Sequence, residues 1–133
     1  MAASQRHFLA TGAALATLLV GCGNSKPAVC SDVDGLQKSV QSLQDVSLSR
    51  GALAEIQQDV ADIRSKLSAV KDSAKAEFSD DVDKVQTAVD ALSTSVDTAR
   101  QSPSGASIVA IGPATRSVGD ALKNLRSAVK DAC

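Results

Sequence analysis

Residues 53–70 read Leu-Ala-Glu-Ile-Gln-Gln-Asp-Val-Ala-Asp-Ile-Arg-Ser-Lys-Leu-Ser-Ala-Val, the most regular apolar pattern in the chain. The aliphatic residues alternate in spacing between three and four, and they are Leu53, Ile56, Val60, Ile63, Leu67 and Val70. This spacing places them on one face of an α-helix, with charged and amide side chains on the other face. The stretch therefore predicts an amphipathic helix that buries one seam against partner helices.

Three further segments carry the same pattern and supply those partners. One lies upstream, over about residues 32–46, and two lie downstream, starting near residues 79 and 103. Their apolar positions are Val33, Leu36, Val40 and Leu43, then Val82, Val85, Val89, Leu92, Val96 and Ala99, then Ile108, Ile111, Val118, Leu122, Leu125 and Val129. About four amphipathic helices with short loops predict an all-α fold, an antiparallel (up-down-up-down) helical bundle.

Serine and proline residues predict where these helices begin. Ser31, Ser79 and Ser102 each precede a helical segment in the position of an N-cap. Pro103 suits the first helical position, where its missing N–H costs nothing. Pro113 lies inside the last segment, so we expect a kink or a restart of the helix there. Late Lys123, Arg126 and Lys130 suit the negative end of that helix dipole.

The junction between the second and third segments allows two interpretations. Val70, Ala74, Phe78 and Val82 are each four residues apart, which would suit a single helix of about 50 residues with a stutter. A break is favoured, because a cap at Ser79 and the aspartates that follow it would serve nothing in mid-helix. The second helix would then run to about residue 77, and Phe78 would close the end of the core.

The first 22 residues are read as targeting sequence and not as part of the bundle. Arg6 precedes an uncharged run from Phe8 to Val20. This run is shorter than the about 20 residues that a membrane span needs. It ends in Leu19-Val20-Gly21-Cys22. The uncharged run and the tetrapeptide together are typical of a cleaved signal peptide that ends at a lipidated cysteine. The alternative is an ordinary signal peptide in which Cys22 occurs by chance.

The tetrapeptide resembles the lipobox of bacterial lipoproteins. The resemblance implies diacylglycerol on the Cys22 thiol and cleavage just before Cys22. Residues 1–21 would be the lipoprotein signal peptide, residues 22–30 a lipidated tether and residues 31–133 the helical bundle domain. The mature chain would be held by its acyl chains on the extracytoplasmic face of the cell membrane, because two or three chains anchor a protein stably.

Two cysteines remain in the mature chain. Cys30 starts the first predicted helix and Cys133 follows the last. In an up-down-up-down bundle they lie at the same end, whereas merging the second and third helices would separate them. A translocated protein meets an oxidising environment, where an even pair of cysteines usually bonds. We therefore predict a Cys30–Cys133 disulfide, with free thiols as the alternative.

Lys-Pro-Ala-Val-Cys at residues 26–30, heptads rich in valine and alanine, the Phe78 junction and Cys133 form a recognisable layout. It is similar to a group of small helical lipoproteins found in high-GC Gram-positive bacteria. The resemblance implies no defined activity and bears on fold and location only.

The amino-acid composition argues against catalytic and nucleic-acid-binding functions. The single histidine, His7, lies in the predicted signal, so the mature chain lacks the usual general base and the commonest metal ligand. Lys and Arg number 14 against 15 Asp and Glu, which gives nucleic-acid binding no electrostatic support. Tyr and Trp are absent, so bases would find little to stack on. We expect a protein that is not an enzyme and uses no cofactor.

A glycine pattern and a cluster of aspartates can each be interpreted as functional or as purely structural. Three glycines in the last segment, seven residues apart, could open a groove for a lipid chain or a partner helix, or could simply be poor helix positions. They are Gly105, Gly112 and Gly119. Three aspartates could bind Ca²⁺, but they lack EF-hand spacing and suit the first turn of a helix, so we expect no metal site. They are Asp80, Asp81 and Asp83.

The leading functional hypothesis is a membrane-anchored surface lipoprotein that binds a protein or cell-envelope component through its polar outer faces. One alternative is a small-ligand or lipid carrier, in which the bundle interior or the glycine flank holds an acyl chain. Another is a structural spacer, formed as a coiled-coil oligomer. The sequence leaves the oligomeric state open.

Overall fold

The computed structural model describes residues 27–133, which are mostly helical with no β-strand among them. The four long helices are α1 (Ala28–Asp45), α2 (Leu53–Ser73), α3 (Ser79–Gln101) and α5 (Ile111–Val129), and α4 (Gly105–Val109) is a single short turn of helix. Short 3-10 turns precede α2 and α3 and follow α5. The predicted all-α bundle is confirmed. The signal peptide and Cys22 lie outside the described residues.

The core is built from the predicted apolar seams, and every seam residue named above is buried. At its centre Leu36, Ile63, Leu92 and Leu125, one from each long helix, are fully buried with 0% exposure. Complete burial of such a side chain contributes about 1.5–3 kcal/mol. The four seams therefore share one continuous core.

The first two long helices, α1 and α2, run in opposite directions. The Ser39 hydroxyl of α1 donates a hydrogen bond to the Asp62 carboxylate of α2, and Gly35 faces Lys66. Residue numbers therefore decrease along α1 in the direction in which they increase along α2. The helices form a ring in the order α1, α2, α3, α5, in which α1 and α5 pack least closely. The α1–α5 side is consequently the most open side of the bundle.

The second and third helices are separate. α2 ends at Ser73, Ala74 is extended, and a 3-10 turn at Ala76–Phe78 leads directly into α3. The single long helix is therefore not formed, and α2 ends about one turn earlier than residue 77. Phe78 is buried and packs at the end of the core next to α5, as predicted.

The first helix begins earlier than predicted. α1 starts at Ala28, so Ser31 lies within its first turn instead of capping it. The reason is packing, because Val29 and Cys30 are both buried against the bundle. Residues 28–30 accordingly form part of α1, and Val29 and Cys30 pack in the core.

Two other predicted caps are also wrong. Neither Ser79 nor Ser102 makes a capping hydrogen bond. Instead Ser104 caps α4: its Oγ accepts from the Ser107 N–H at 3.1 Å, and the Ser107 Oγ accepts from the Ser104 N–H at 2.9 Å. This reciprocal pair is a capping box closed by serine. It sets the start of α4 two residues beyond Pro103.

The restart expected near Pro113 is present. α4 ends at Val109, and α5 begins at Ile111 with Pro113 as its third residue. Proline lacks the N–H that would bond to the Val109 carbonyl in a continuous helix, whereas the first turn of a helix needs no such bond. The proline is thus placed in the first turn of α5, where it is tolerated.

Candidate interaction surfaces

The two bundle cysteines join the first and last helices. Cys30 and Cys133 form a disulfide with their Cα atoms 5.8 Å apart, as predicted. The bond lies beside an open depression of about 490 Å³, between the start of α1 and the end of α5. This depression also contains Asp34, Lys123 and Lys130. The disulfide therefore marks one end of a polar surface.

That surface continues along the whole junction of α1 and α5, which we call the α1–α5 seam. Two more shallow depressions follow the first, toward Leu48 and Gly112 at the far end. The α1 wall carries Asp34, Gln37, Gln41 and Gln44, and the α5 wall carries Arg116, Lys123, Arg126 and Lys130. A row of amides thus faces a row of cations.

The cations on this wall form a stripe. Arg116, Lys123 and Lys130 are seven residues apart, with Arg126 between the last two, and all four are exposed. The one ion pair within residues 27–133 joins Lys84 to Asp81 at 3.8 Å. The four seam cations therefore have no carboxylate within salt-bridge distance in the described part of the chain. Three of these cations were predicted from the sequence as partners of the helix dipole, whereas Arg116 was not.

Two of the three predicted groove glycines lie on this seam. A Cβ on Gly119 would be 2.8 Å from the Gln44 Nε2, and a Cβ on Gly112 would be 3.4 Å from the Leu48 Cδ1. Gly105 lies elsewhere, with no atom within 4 Å of its Cβ position. The space above Gly119 is thus occupied by a side chain of α1, and the space above Gly112 by Leu48 in the loop that follows α1.

On the opposite side of the ring, α3 carries a row of aspartates, and the neighbouring helix α2 adds the cations Arg64 and Lys71. Asp83, Asp90 and Asp97 of α3 are exposed and seven residues apart, and we call them the acidic stripe. Gln86 donates to the Asp90 carboxylate at 2.9 Å. Asp97 lies in a shallow depression that also contains Arg64 of α2. The heptad spacing of these aspartates was readable from the sequence, but only Asp83 was singled out there.

The aspartates at the start of α3 do not gather into a metal site. Asp81 pairs with Lys84, and Asp80 is exposed in the first helical turn. Between residues 27 and 133 no three acidic or cysteine side chains are arranged to hold a metal ion. Negative charge in the first turn of α3 favours the positive end of its helix dipole, which accounts for these residues.

No helix within residues 27–133 is both long enough and apolar enough to cross a membrane. Comparison of the chain with protein-family models, curated proteins and solved structures finds no match. The surfaces are therefore interpreted from their own residues.

Proposed function

We propose that this chain is a membrane-anchored surface lipoprotein on the extracytoplasmic face of the cell membrane. It acts without catalysis, by binding a protein or another component of the cell envelope. The observation that supports the binding role is that the apolar face of each long helix is buried within the same chain. Only polar outer faces are left to contact a partner.

The anchor rests on the Leu19-Val20-Gly21-Cys22 tetrapeptide, and the start of α1 adds a distance constraint. Ala28, the first residue of the helix, is six positions after Cys22. A fully extended chain of that length spans about 20 Å. A lipidated Cys22 would hold the disulfide end of the bundle close to the lipid headgroups.

The acidic stripe on α3 is the surface we favour for a partner. Asp83, Asp90 and Asp97 project from the side of the ring opposite the α1–α5 seam. Exposed charges of one sign increase association rates and select for partners of the opposite sign. A partner with basic residues at similar spacing would fit this stripe best.

The packed core argues against the carrier hypothesis. Ile56, Ile63, Leu92 and Leu125 have no exposed surface, so the interior of the described bundle is filled by its own side chains. An acyl chain could enter only if the helices separated and exposed this apolar surface to water, which costs about 25 cal/mol per Å².

The spacer hypothesis lacks an apolar contact surface. In residues 27–133 the exposed large hydrophobic residues are Leu48 and Val109. Coiled-coil oligomers need a continuous apolar seam between chains, and here the seams face one another within one chain.

Intact mass and crosslinking test this proposal. Protein extracted from membranes should have the mass of residues 22–133 plus acyl groups. The mass of an unlipidated full-length chain would contradict the proposed lipid anchor. Crosslinking in cells should capture an envelope partner with the wild-type chain but not with Asp83→Asn, Asp90→Asn and Asp97→Asn combined. The control combines Asp45→Asn, Glu77→Gln and Asp131→Asn, which remove the same charge from other exposed positions. Turnover of a substrate by the purified chain would overturn the non-enzymatic assignment.

A further inference from the structure

We propose that the α1–α5 seam lies on the membrane itself, with the cations of α5 against the phosphates of anionic lipids. This inference rests on the proposed lipid anchor at Cys22. It goes beyond that anchor because it assigns one face of the bundle to the leaflet and orients the opposite face toward the exterior.

Charge is the first argument. α5 is the only one of the four long helices in which basic residues outnumber acidic ones, with Arg116, Lys123 and Arg126 against Asp120. Lys130 extends the stripe beyond its last turn. By contrast, α3 carries five aspartates against Lys84 and Arg100. The basic stripe of α5 and the acidic stripe of α3 therefore give these two helices net charge of opposite sign.

The seam is also electrostatically free to meet an anionic surface. Asp34 is the one acidic residue among those that line its three depressions. The remaining α1 wall consists of Gln37, Gln41 and Gln44, whose amides can donate hydrogen bonds to phosphate oxygens. No ion pair inside the described bundle competes for the four cations.

Position is the second argument. The tether joins the bundle where the seam begins, because Cys30 itself lines the first depression together with Lys130. A chain anchored at Cys22 would bring this end of the stripe within about 20 Å of the leaflet. Tethering makes docking of this face an intramolecular event with a high effective concentration of headgroups.

The length of the stripe sets the orientation. Arg116 and Lys130 are 14 residues apart, which is about 21 Å along a helix. All four cations can reach phosphates together only if the bundle axis lies along the membrane plane. An upright bundle would bring only the disulfide end to the surface, where the aspartates at the start of α3 would be repelled.

Stabilisation of the helix dipole is the competing explanation for these cations. It accounts for Lys123, Arg126 and Lys130, which lie in the last turns of the helical segment. It does not account for Arg116, the sixth residue of α5, which lies beyond the first turn and far from the C-terminal end of the helix, where the dipole favours cations. Arg116 nevertheless continues the same stripe at the same heptad spacing.

The test uses the lipidated chain, isotope-labelled and reconstituted into nanodiscs of phosphatidylcholine alone or mixed with phosphatidylglycerol. A trace lipid with a gadolinium chelate on its headgroup relaxes nearby amides. With phosphatidylglycerol, amides of residues 112–130 should relax severalfold faster than those of residues 83–97. Phosphatidylcholine alone should abolish this difference, as should about 1 M salt, where the Debye length falls to about 3 Å.

Matched variants separate the seam from total charge. The combination of Arg116→Gln, Lys123→Gln, Arg126→Gln and Lys130→Gln should lose the oriented pattern. The control removes four exposed cations elsewhere, by Arg64→Gln, Lys71→Gln, Lys84→Gln and Arg100→Gln, and should keep it. Near-unchanged amide spectra away from the substitutions would show that both variants are folded.

Two results would overturn the inference. One is equal relaxation of the α3 and α5 amides in phosphatidylglycerol, and the other is a pattern that the seam variant leaves unchanged. Relaxation strongest on α3 would indicate that the basic seam faces outward, toward an acidic partner instead of lipid. The intact mass of the same sample reports the anchor separately, so loss of lipidation cannot be mistaken for failed docking.

Discussion

Cys30 in the first turn of α1 and Cys133 after the last turn of α5 form a disulfide with their Cα atoms 5.8 Å apart. The bond closes a loop that spans 103 residues of sequence. In the chain-entropy model, closing a loop of this size stabilises the folded state by about 4.7 kcal/mol, because it restricts the unfolded chain. Small domains have total stabilities of about 5–15 kcal/mol, so this one bond is a major contribution.

Removal of the disulfide should destabilise the bundle strongly. We expect Cys30→Ala with Cys133→Ala to lose about 3–5 kcal/mol of unfolding free energy, measured by urea denaturation. Alanine is chosen at both positions because Cys30 is buried and a serine hydroxyl there would need a partner. Reductant should lower the wild-type midpoint and leave the variant unchanged. A wild-type midpoint that is insensitive to reductant would contradict this prediction.

Substitution of Gly35 should stabilise α1. A Cβ at this mid-helix position would meet only the Lys66 Cδ at 3.9 Å, which is ordinary contact. Gly35→Ala should therefore raise the unfolding free energy by about 0.5–1 kcal/mol, the usual cost of glycine in a helix. Gly119→Ala is the matched comparison and should gain less, because its Cβ would displace the end of Gln44. A larger gain at Gly119 than at Gly35 would show that this contact is unimportant.

Truncation in the centre of α2 should open a cavity. Ile63 has 0% exposure and lies on the seam that faces the other helices. We expect Ile63→Ala to cost about 2–5 kcal/mol in thermal or urea unfolding, from lost burial and residual cavity volume. Gln58→Ala on the exposed face of the same helix should change stability by less than about 0.5 kcal/mol. Similar effects at both sites would contradict the packing described here.

One carboxylate of α2 should make stability fall slightly as pH rises. Partial burial, and then the neighbouring Glu55 and Asp62, raise the pKa of the Asp59 carboxyl. The folded chain then binds more protons than the unfolded chain in the window above the ordinary Asp pKa of about 3.9. With respect to this group, stability decreases with rising pH through that window and stays lower at neutral pH.

The variant Asp59→Asn tests this linkage. It should raise stability at pH 7 by less than about 0.5 kcal/mol, because solvent screens a partly exposed group. The gain should shrink as the pH is lowered below the window, where the wild-type carboxyl is also neutral. A gain that is constant at every pH would assign the effect to packing and not to charge.

Heptad spacing predicted the core but not the helix ends. All six seam positions of α2 and all six of α3 are buried, because a period near 3.5 leaves an amphipathic helix one apolar face to bury. The caps predicted at Ser31, Ser79 and Ser102 are not formed. Local capping contributes only about 1 kcal/mol, and burial of Val29 and Cys30 outweighs it at the start of α1.

The surfaces were only partly readable from the sequence. The disulfide could be predicted because an even number of antiparallel helices places the first and last residues of the bundle, Cys30 and Cys133, at the same end. Whether the glycines form a groove depends on what packs above them. Gln44 of α1 lies above Gly119, Leu48 of the following loop lies above Gly112, and Gly105 lies elsewhere. Sequence spacing alone could not predict which helix would cover that flank.

Periodicity along the chain thus determined by itself the all-α class, the positions of the four long helices and the residues of the core, because these depend on which face of each helix is apolar. Only the tertiary structure decided that α1 and α5 pack loosely, and that Arg116, Lys123, Arg126 and Lys130 face a row of glutamines across one open seam. Those relationships join residues more than 70 positions apart, and they arise from the way in which four similar helices close into a ring.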